Sequence, residues 1–143
     1  MRTKLIIFCM LVLFAVLFFQ LAQDLSYASD SEKGGARSSN NIAVAAVGGD
    51  AHNEISTVAG RASYYLIFDE KGVFLKSVKN PGEGSGRNSG SAVVNLLLKE
   101  SCKTVIAGKF GDKLKGQLKA NKIDFYERKG IAEKVVRSYT LSS

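Results

Sequence analysis

The chain has 143 residues, of which 45% are hydrophobic and 23% charged, so its composition is that of one globular domain rather than of a disordered segment. A single proline and fourteen glycines exclude collagen-like and proline-rich proteins. The formal net charge is +7, and residues 99–143 hold eleven basic and five acidic residues, whereas residues 29–98 hold seven of each sign. The basic end is either a surface for an anionic partner or the solvated faces of lysine-rich helices.

The amino-terminal segment has the three parts of an export signal. Arg2 and Lys4 give it a positive start, and an unbroken apolar run follows over residues 5–19. Ser26-Tyr27-Ala28 then places small residues where a signal peptidase cleaves, which predicts Ser29 as the first mature residue. We therefore predict an exported protein, periplasmic or extracellular.

A membrane anchor is the competing interpretation of the same segment. Residues 5–22 form a stretch close to the length of a bilayer span, so an uncleaved chain would be held at the membrane by these residues. The predicted organisation is a signal peptide or anchor over residues 1–28, a flexible tether of small polar residues over 29–40 and a single domain over 41–143. Membrane association is expected only if the segment is not cleaved.

Three strands are predicted in the first half of the domain. Residues 42–47 form a short apolar run ended by two glycines, which is typical of a buried central strand. Residues 63–69 and 73–78 form two strand-like runs around the short turn Glu70-Lys71-Gly72, which indicates a hairpin. Asn80-Pro81 ends the third strand, because proline cannot donate to a ladder.

Helices and strands alternate in the second half. Helices are predicted at residues 89–100, 112–120 and 131–139, separated by strands at 104–107 and 123–126. Ser89 or Ser91 is the expected cap of the first helix, and Asp112 that of the second. The order β-β-β-α-β-α-β-α predicts an α/β fold in which helices cover the faces of a mixed five-stranded sheet.

The scarcity of chemically active side chains excludes several classes of enzyme. Cys102 is the only cysteine after the signal is removed and His52 is the only histidine, so the mature chain has no CxxC motif, no internal disulfide and no Cys/His metal cluster. Two-metal nucleases need converging carboxylates, and the first strand has none. The basic end lacks interleaved aromatic residues, so we expect no nucleic-acid partner.

Four motifs, in order, carry a resemblance to a known family. They are Ile42-Ala43-Val44, Gly60-Arg61-Ala62-Ser63-Tyr64-Tyr65, Asn80-Pro81 with the glycine-rich loop after it, and Val105-Ile106-Ala107-Gly108. Across roughly residues 41–139 the chain resembles the dinitrogenase iron-molybdenum cofactor-binding family, which comprises nitrogenase accessory factors and related small proteins. The resemblance implies a ribonuclease H-like three-layer α/β/α fold and the binding or carriage of a metal–sulfur cofactor, without catalysis.

The chain departs from the family's pattern at one place. The family often has His-Phe directly before the Gly-Arg pair, where this chain has Val58 and Ala59. Imidazole is a strong metal ligand, and its replacement by an aliphatic side chain removes that ligand. His52 lies eight residues before Gly60, and a flexible loop over residues 50–61 is the expected means of bringing it near the same place. His52 is therefore the one candidate metal ligand.

Six residues are candidates for contact with a cofactor: Gly60, Arg61, Gly84, Gly86, Arg87 and Lys109. Arg61 could donate charge-assisted hydrogen bonds to an anionic cofactor or pair with a carboxylate such as Asp50. The glycines of residues 82–90 allow backbone amides to approach a ligand at a helix start, although their spacing matches neither a dinucleotide fingerprint nor a P-loop. We expect Arg61, this loop and Lys109 to lie at one end of the sheet.

Two functions from different classes follow from these features. The first is an exported carrier for a metal ion or a metal–sulfur cofactor, of the iron-molybdenum or iron–sulfur type, bound by the loops at 50–61, 82–90 and 108–112. The second is a metal-free interaction domain that docks an acidic protein or a membrane surface through the basic residues of 99–137. Cys102 stands where an apolar residue is expected, and we predict that it is buried and ligates no metal.

Overall fold

The computed structural model describes residues 39–143, so the predicted signal peptide or anchor and most of the predicted tether lie outside the described residues. The elements follow the predicted order. The strands are β1 (Asn41–Ala46), β2 (Tyr64–Phe68), β3 (Phe74–Lys79), β4 (Cys102–Ala107) and β5 (Asp124–Glu127). The helices are α1 (Ser89–Lys99), α2 (Asp112–Ala120) and α3 (Ala132–Ser142).

The strands form one mixed five-stranded sheet in the order β3-β2-β1-β4-β5, as predicted. β2 is antiparallel to both β1 and β3, whereas β4 is parallel to β1 and β5 is parallel to β4. β1 is central, and its residues from Ile42 to Ala46 are all buried, which explains why that stretch is apolar throughout rather than alternating. This strand order is compatible with the ribonuclease H-like arrangement.

Helices cover both faces of the sheet, so the fold has the expected three α/β/α layers. Alternate residues of a strand point to opposite faces, and the buried side chains accordingly divide into two clusters. α1 and α2 pack on the face formed by Ala43, Ala45, Tyr65, Ile67, Val105 and Ala107. α3 packs on the other face, formed by Ile42, Val44, Ala46, Leu66, Phe68 and Ile106. Within residues 39–143, no helix is both long enough and apolar enough to cross a bilayer.

The helix starts differ from the sequence-based expectation, because no side chain caps them. α1 is preceded by the 3₁₀ turn Gly86–Asn88, and the amide of Ser89 donates to the carbonyl of Gly86, so neither Ser89 nor Ser91 caps the helix. α2 begins at Asp112 itself, with Gly111 in the capping position. Asp112 therefore stabilises the helix as an acidic residue in its first turn rather than as its cap.

Candidate functional site

A cleft of about 290 Å³ lies where α1 and α2 begin, beside the connection that leads into β2. Glycines and polar residues from two loops and from the first turns of α1 and α2 line it: Gly60, Arg61, Gly86, Arg87, Ser89 and Lys113. Four of the six predicted cofactor-binding residues are thus brought together, namely Gly60, Arg61, Gly86 and Arg87. Gly84 and Lys109 are not among the lining residues, and their contributions are described below.

The side chain of Asn80 fixes the geometry of two of these loops. It is only 3% exposed. Its amide nitrogen donates to the carbonyl of Ala62 at 2.7 Å and to that of Gly60 at 3.4 Å, and its amide oxygen accepts from the backbone of Gly82 at 2.8 Å. A buried amide that satisfies backbone groups on both sides holds them in register. This is the physical reason for an asparagine at the Asn80-Pro81 motif.

The 3₁₀ turn Ala59–Arg61 forms one wall of the cleft and is anchored from beneath. The amide of Ala59 donates to the carbonyl of Lys109 at 2.9 Å, and its carbonyl accepts from the buried hydroxyl of Tyr65 at 2.8 Å. Burial raises the pKa of Tyr65 well above its usual range, so the hydroxyl remains a donor. Lys109 therefore supports the site through its backbone, while its exposed side chain lies outside the cleft lining.

Two glycines allow neighbouring loops to approach closely. A Cβ atom on Gly108 would lie 2.7 Å from the carbonyl oxygen of Thr57, and the amide of Gly108 donates to the carbonyl of Ser56 at 2.9 Å. A Cβ atom on Gly82 would lie 2.7 Å from the carbonyl oxygen of Ser89. Both positions require glycine for reasons of packing, which explains Gly108 in the last of the four motifs.

The glycine-rich loop is a succession of tight turns. The amide of Ser85 donates to the carbonyl of Gly82 at 3.1 Å, and the amide of Glu83 donates to that of Asn80 at 3.2 Å. Gly84 has a φ of +77° and Gly86 a φ of +54°, in the left-handed region that glycine adopts without strain. Gly84 thus serves the turn, and Gly86 serves both the turn and the cleft.

The charged groups of the cleft are all cationic. Arg61 and Arg87 are exposed, and within residues 39–143 neither guanidinium forms an ion pair. The alternative pairing of Arg61 with Asp50 is not formed, and the carboxylate of Asp50 accepts from the backbone amide of His52 at 2.8 Å. The ammonium of Lys113 donates to the carbonyl of Arg87 at 3.2 Å and adds a third cation. With two helix amino termini at its edge, the cleft has a positive potential.

Lys113 was not a candidate from the sequence, although a weak signal for it exists. It follows Asp112 in the first turn of α2, a helix whose start was predicted. A residue in the first turn of a helix lies close to whatever approaches the helix amino terminus. This part of the chain has many lysines, so the sequence alone does not indicate which of them faces a neighbouring loop.

His52 lies with α3 and not in the cleft. Its Nδ1 atom is 3.0 Å from Oε2 of Glu133, and the other carboxylate oxygen of Glu133, Oε1, accepts from Arg137 at 3.1 Å. Glu54 forms a β-bridge with Ile131, which ties the same part of the loop to the start of α3. Over residues 39–143, no three His, Cys, Asp or Glu side chains come together in an arrangement that could hold a metal ion.

Cys102 is buried at the start of β4, as predicted. It is 2% exposed, and its sulfur lies 3.7 Å from the carbonyl oxygen of Glu100. Burial raises the pKa of the thiol from 9.0 to about 12, and the nearby carboxylate of Glu100 acts in the same direction. The protonated thiol is a core group at neutral pH.

The donor set of the cleft suits an anion and does not suit a bare metal ion. Its lining residues provide guanidinium, ammonium, hydroxyl and backbone N–H groups, but no imidazole, thiolate or carboxylate. Metal ions in proteins are ligated by the latter groups, whereas the former bind oxyanions and sulfide-bearing anions by charge and hydrogen bonding. A metal–sulfur cofactor that is already assembled and anionic fits this donor set.

Comparison with known proteins agrees with the fold and the motifs. The sequence profile of the family described as dinitrogenase iron-molybdenum cofactor matches residues 40–141. Among curated proteins, none matches the chain. The apo form of the orange protein from Desulfovibrio gigas superposes with a TM-score of 0.67 at 21% identity, over 72% of this chain and 88% of that protein.

Two further solved structures have the same fold. A protein described as NifB from Thermotoga superposes with a TM-score of 0.59 at 23% identity, over 71% of this chain and 88% of its own. A protein described as a dinitrogenase from Methanocaldococcus jannaschii superposes with a TM-score of 0.51 at 16% identity, over 71% and 88%. At these identities the likeness concerns the fold alone, whereas the profile match over residues 40–141 concerns the family.

Proposed function

Because the chain belongs to the dinitrogenase iron-molybdenum cofactor family, we propose that it binds and carries an assembled, anionic metal–sulfur cofactor and catalyses no reaction. The observation that carries this proposal is the cleft in which Arg61, Arg87 and Lys113 come together with no carboxylate among the lining residues. The cofactor is of the iron-molybdenum or iron–sulfur type, and it is cargo of the protein rather than a resident group.

The residues of the cleft divide the work of holding such an anion. Arg61 and Arg87 lie on two different loops, so their guanidinium groups can donate hydrogen bonds to the anion from two sides. Lys113 is already tethered to the carbonyl of Arg87, and it supplies charge at little cost in side-chain entropy. Nothing lies within 4 Å of a Cβ placed on Gly86, so the backbone just before α1 is open to a bulky ligand.

Because the cleft lining contains no ligating side chains, the cleft is suited to passing its cofactor on to another protein. A cofactor held by hydrogen bonds and charge leaves when a competing protein offers a ligating thiolate or imidazole, and no protein–metal bond has to break first. Each charge-assisted hydrogen bond contributes about 1.5–3 kcal/mol, so a few of them give an affinity that permits both loading and release.

We further propose that the domain acts outside the cytoplasm. This part of the proposal is supported by the positive start, the apolar run at residues 5–19 and the small residues before Ser29. It assigns residues 1–28 to a signal peptide or anchor, 29–40 to a tether and 41–143 to the binding domain. Intact-mass measurement from expressing cells tests the cleavage, since a mass that retains residues 1–28 would identify an anchor.

A metal-free interaction domain is the second candidate, and Val58 and Ala59 in place of His-Phe favour it. Its surface would be the basic residues of 99–137. The glutamates there are engaged, because Glu100 pairs with Lys76, Glu127 with Lys115 and Glu133 with Arg137. Lys103, Lys119 and Lys122 are exposed, so an acidic partner would meet an excess of positive charge.

Titration with tetrathiomolybdate, a molybdenum–sulfur dianion, separates the two candidates. We expect Arg61→Ala and Arg87→Ala each to weaken binding by about tenfold or more, because each removes a charge-assisted donor from the cleft. Lys134→Ala is the matched control, since it removes an equal charge from the exposed side of α3, and its affinity should be unchanged. Equal losses in all three variants that vanish with added salt would show diffuse attraction and favour the interaction domain.

A further inference from the structure

Exposed apolar side chains are concentrated at the end of the sheet opposite the cleft. Residues 39–143 contain six large hydrophobic residues with exposed side chains, and only Val47, at 55% exposure, lies at the cleft end, directly after β1. The other five are Val73, Phe74, Leu75, Leu98 and Leu141. Leu141 is 82% exposed and Val73 is 56% exposed. Scattered exposed apolar residues are ordinary, but their collection at one end indicates a surface with a partner.

Strand register places the hairpin residues at that end. Phe74 at the start of β3 pairs with Phe68, and Phe68 pairs with Ile42 at the start of β1. β1 runs from this end towards the cleft, so the turn between β2 and β3 lies beside the point where β1 begins. Val73 precedes β3 in this turn, and Leu75 follows Phe74 on an edge strand.

Both faces of the sheet contribute one leucine to the same end. On one face, α1 ends near the start of β1, because the amide of Asn41 donates to the carbonyl of Ser101 at 3.2 Å, and Leu98 lies in the last turn of α1. On the other face, α3 ends beside the hairpin, where a Cβ atom on Gly72 would lie 3.3 Å from the hydroxyl of Thr140. Leu141 is the next residue of α3.

The chain enters the domain at this end. Asn41 begins β1 there, so residues 1–40, which include the apolar run of residues 5–19, are joined to the domain at the apolar surface and away from the cleft. The segment 20–40 has twenty-one residues and so can span at most about 70 Å between the apolar run and Asn41. If a bilayer holds the apolar run, this end of the domain is kept close to the bilayer, and the effective concentration of lipid at the apolar surface is therefore high.

Lysines surround the apolar tips. Lys71 in the hairpin, Lys99 at the end of α1 and Lys103 in β4 are exposed, and Glu70 is the exposed acidic residue of the hairpin. A peripheral membrane-binding surface typically has exposed apolar side chains that enter the headgroup region. Long cationic side chains around them reach the lipid phosphates.

We propose that, when residues 5–19 are retained as an anchor, the surface formed by Val73, Leu75, Leu98 and Leu141 docks on a lipid bilayer. The apolar tips enter the headgroup layer, the lysines contact lipid phosphates, and the cleft between α1 and α2 faces the aqueous side. The orientation follows from the fold, because the cleft and the apolar surface lie at opposite ends of the central strand. It does not depend on what the cleft binds.

The absence of tryptophan from the chain provides a direct test. The full chain is reconstituted into vesicles of phosphatidylcholine with a minority of phosphatidylserine, as Leu141→Trp, Leu98→Trp and the control Val47→Trp. Each replaces an exposed side chain, and all three proteins carry the same apolar run. With brominated lipid, Leu141→Trp and Leu98→Trp should lose more than about half of their emission, whereas Val47→Trp should be unaffected.

Equal quenching at the two ends, or none at either, would overturn the proposal. So would an emission of Leu141→Trp that shifts to the blue with protein concentration in the absence of lipid, because that result would assign the surface to a second copy of the chain. Since Val47→Trp shares the anchor, preferential quenching at the other end cannot arise from the tether alone.

Discussion

The two halves of the connection between β1 and β2 serve opposite faces of the sheet. Residues 50–55 are tied to α3, because Ala132 donates to the carbonyl of Asn53 and Glu133 to that of Ala51, each at 3.0 Å. Residues 56–61 are tied instead to the turn after β4, where Gly108 donates to the carbonyl of Ser56. The sequence shows no periodicity in either half, so backbone hydrogen bonds to distant elements decide where each half lies.

This difference separates His52 from Arg61. The expected flexible loop would have allowed the imidazole to replace the missing histidine of the family's motif. In the structure the first half is bonded to α3 on one face, and the second half supports the cleft beside α1 and α2, which cover the other face. Nearness in sequence therefore does not place His52 at the cleft, and the cleft is left with cationic donors.

The largest effect on stability is expected where the second half meets β4. Gly108→Ala should lower the free energy of unfolding by about 3 kcal/mol, because its Cβ would lie 2.7 Å from the backbone oxygen of Thr57 and would push this half away. Gly116→Ala is the matched control, since nothing lies within 4 Å of a Cβ there, and it should stabilise α2 by about 1 kcal/mol. Urea unfolding measures both changes. An unchanged free energy of unfolding in Gly108→Ala would show that the close contact between Gly108 and Thr57 does not constrain this position.

A smaller loss is expected from Asn80→Ala, which removes the side chain that holds the second half against the glycine-rich loop. Losing its hydrogen bonds to Ala62, Gly60 and Gly82 should cost about 2 kcal/mol and should also weaken tetrathiomolybdate binding. Asn95→Ala, on the exposed side of α1, should leave binding unchanged and should raise the free energy of unfolding by about 0.5 kcal/mol, because alanine is the better helix former. Unfolding curves and dialysis with the dianion measure the two effects, and full stability with full binding would refute this role of Asn80.

Cys102→Ala tests a buried change that touches neither half of the connection. The substitution should lower the free energy of unfolding by about 1 kcal/mol and leave tetrathiomolybdate binding unchanged. The folded-state pKa of Cys102 is raised from 9.0 to about 12. The stability that the protonated thiol contributes is therefore complete below pH 9, and it declines as the pH rises towards 12. Urea unfolding at several pH values should show a shallower alkaline decline in the variant, and a steeper one would contradict the assignment of the thiol to the core.

The smallest effect is expected from His52→Ala in the first half. Its side-chain contact with Glu133 is exposed, so the free energy of unfolding should change by less than about 0.5 kcal/mol. Tetrathiomolybdate affinity should equal that of the unaltered protein. A tenfold loss of affinity would show that His52 contacts the ligand, and it would contradict the assignment of the two halves of the connection to different faces of the sheet.

The fold was accessible from the sequence because its signals are local. The apolar runs, the hairpin turn and the glycines between elements predicted all eight elements in the order that the structure shows. The helix caps were wrong because the turn Gly86–Asn88 continues into α1 and satisfies its first amide, a feature that depends on the whole glycine-rich loop.

The candidate site was accessible only in part. Arg61 and Arg87 were found because family motifs and glycine-rich loops identify them. The cleft role of Lys113 and the backbone role of Lys109 depend on contacts between separate loops, which residue type alone does not specify. The pairing of His52 with Glu133 likewise joins residues from two distant parts of the chain.

We expect an anionic metal–sulfur species to bind in the cleft between the second half of the connection, the glycine-rich loop and α2. The most direct test is to follow backbone amide signals by nuclear magnetic resonance while tetrathiomolybdate is added to the protein. Binding in the cleft should give saturable shifts at residues 58–61, 86–90 and 111–114 and none at residues 50–55. Shifts centred on His52 and Glu133, or spread evenly over the lysines of α2 and α3, would contradict it.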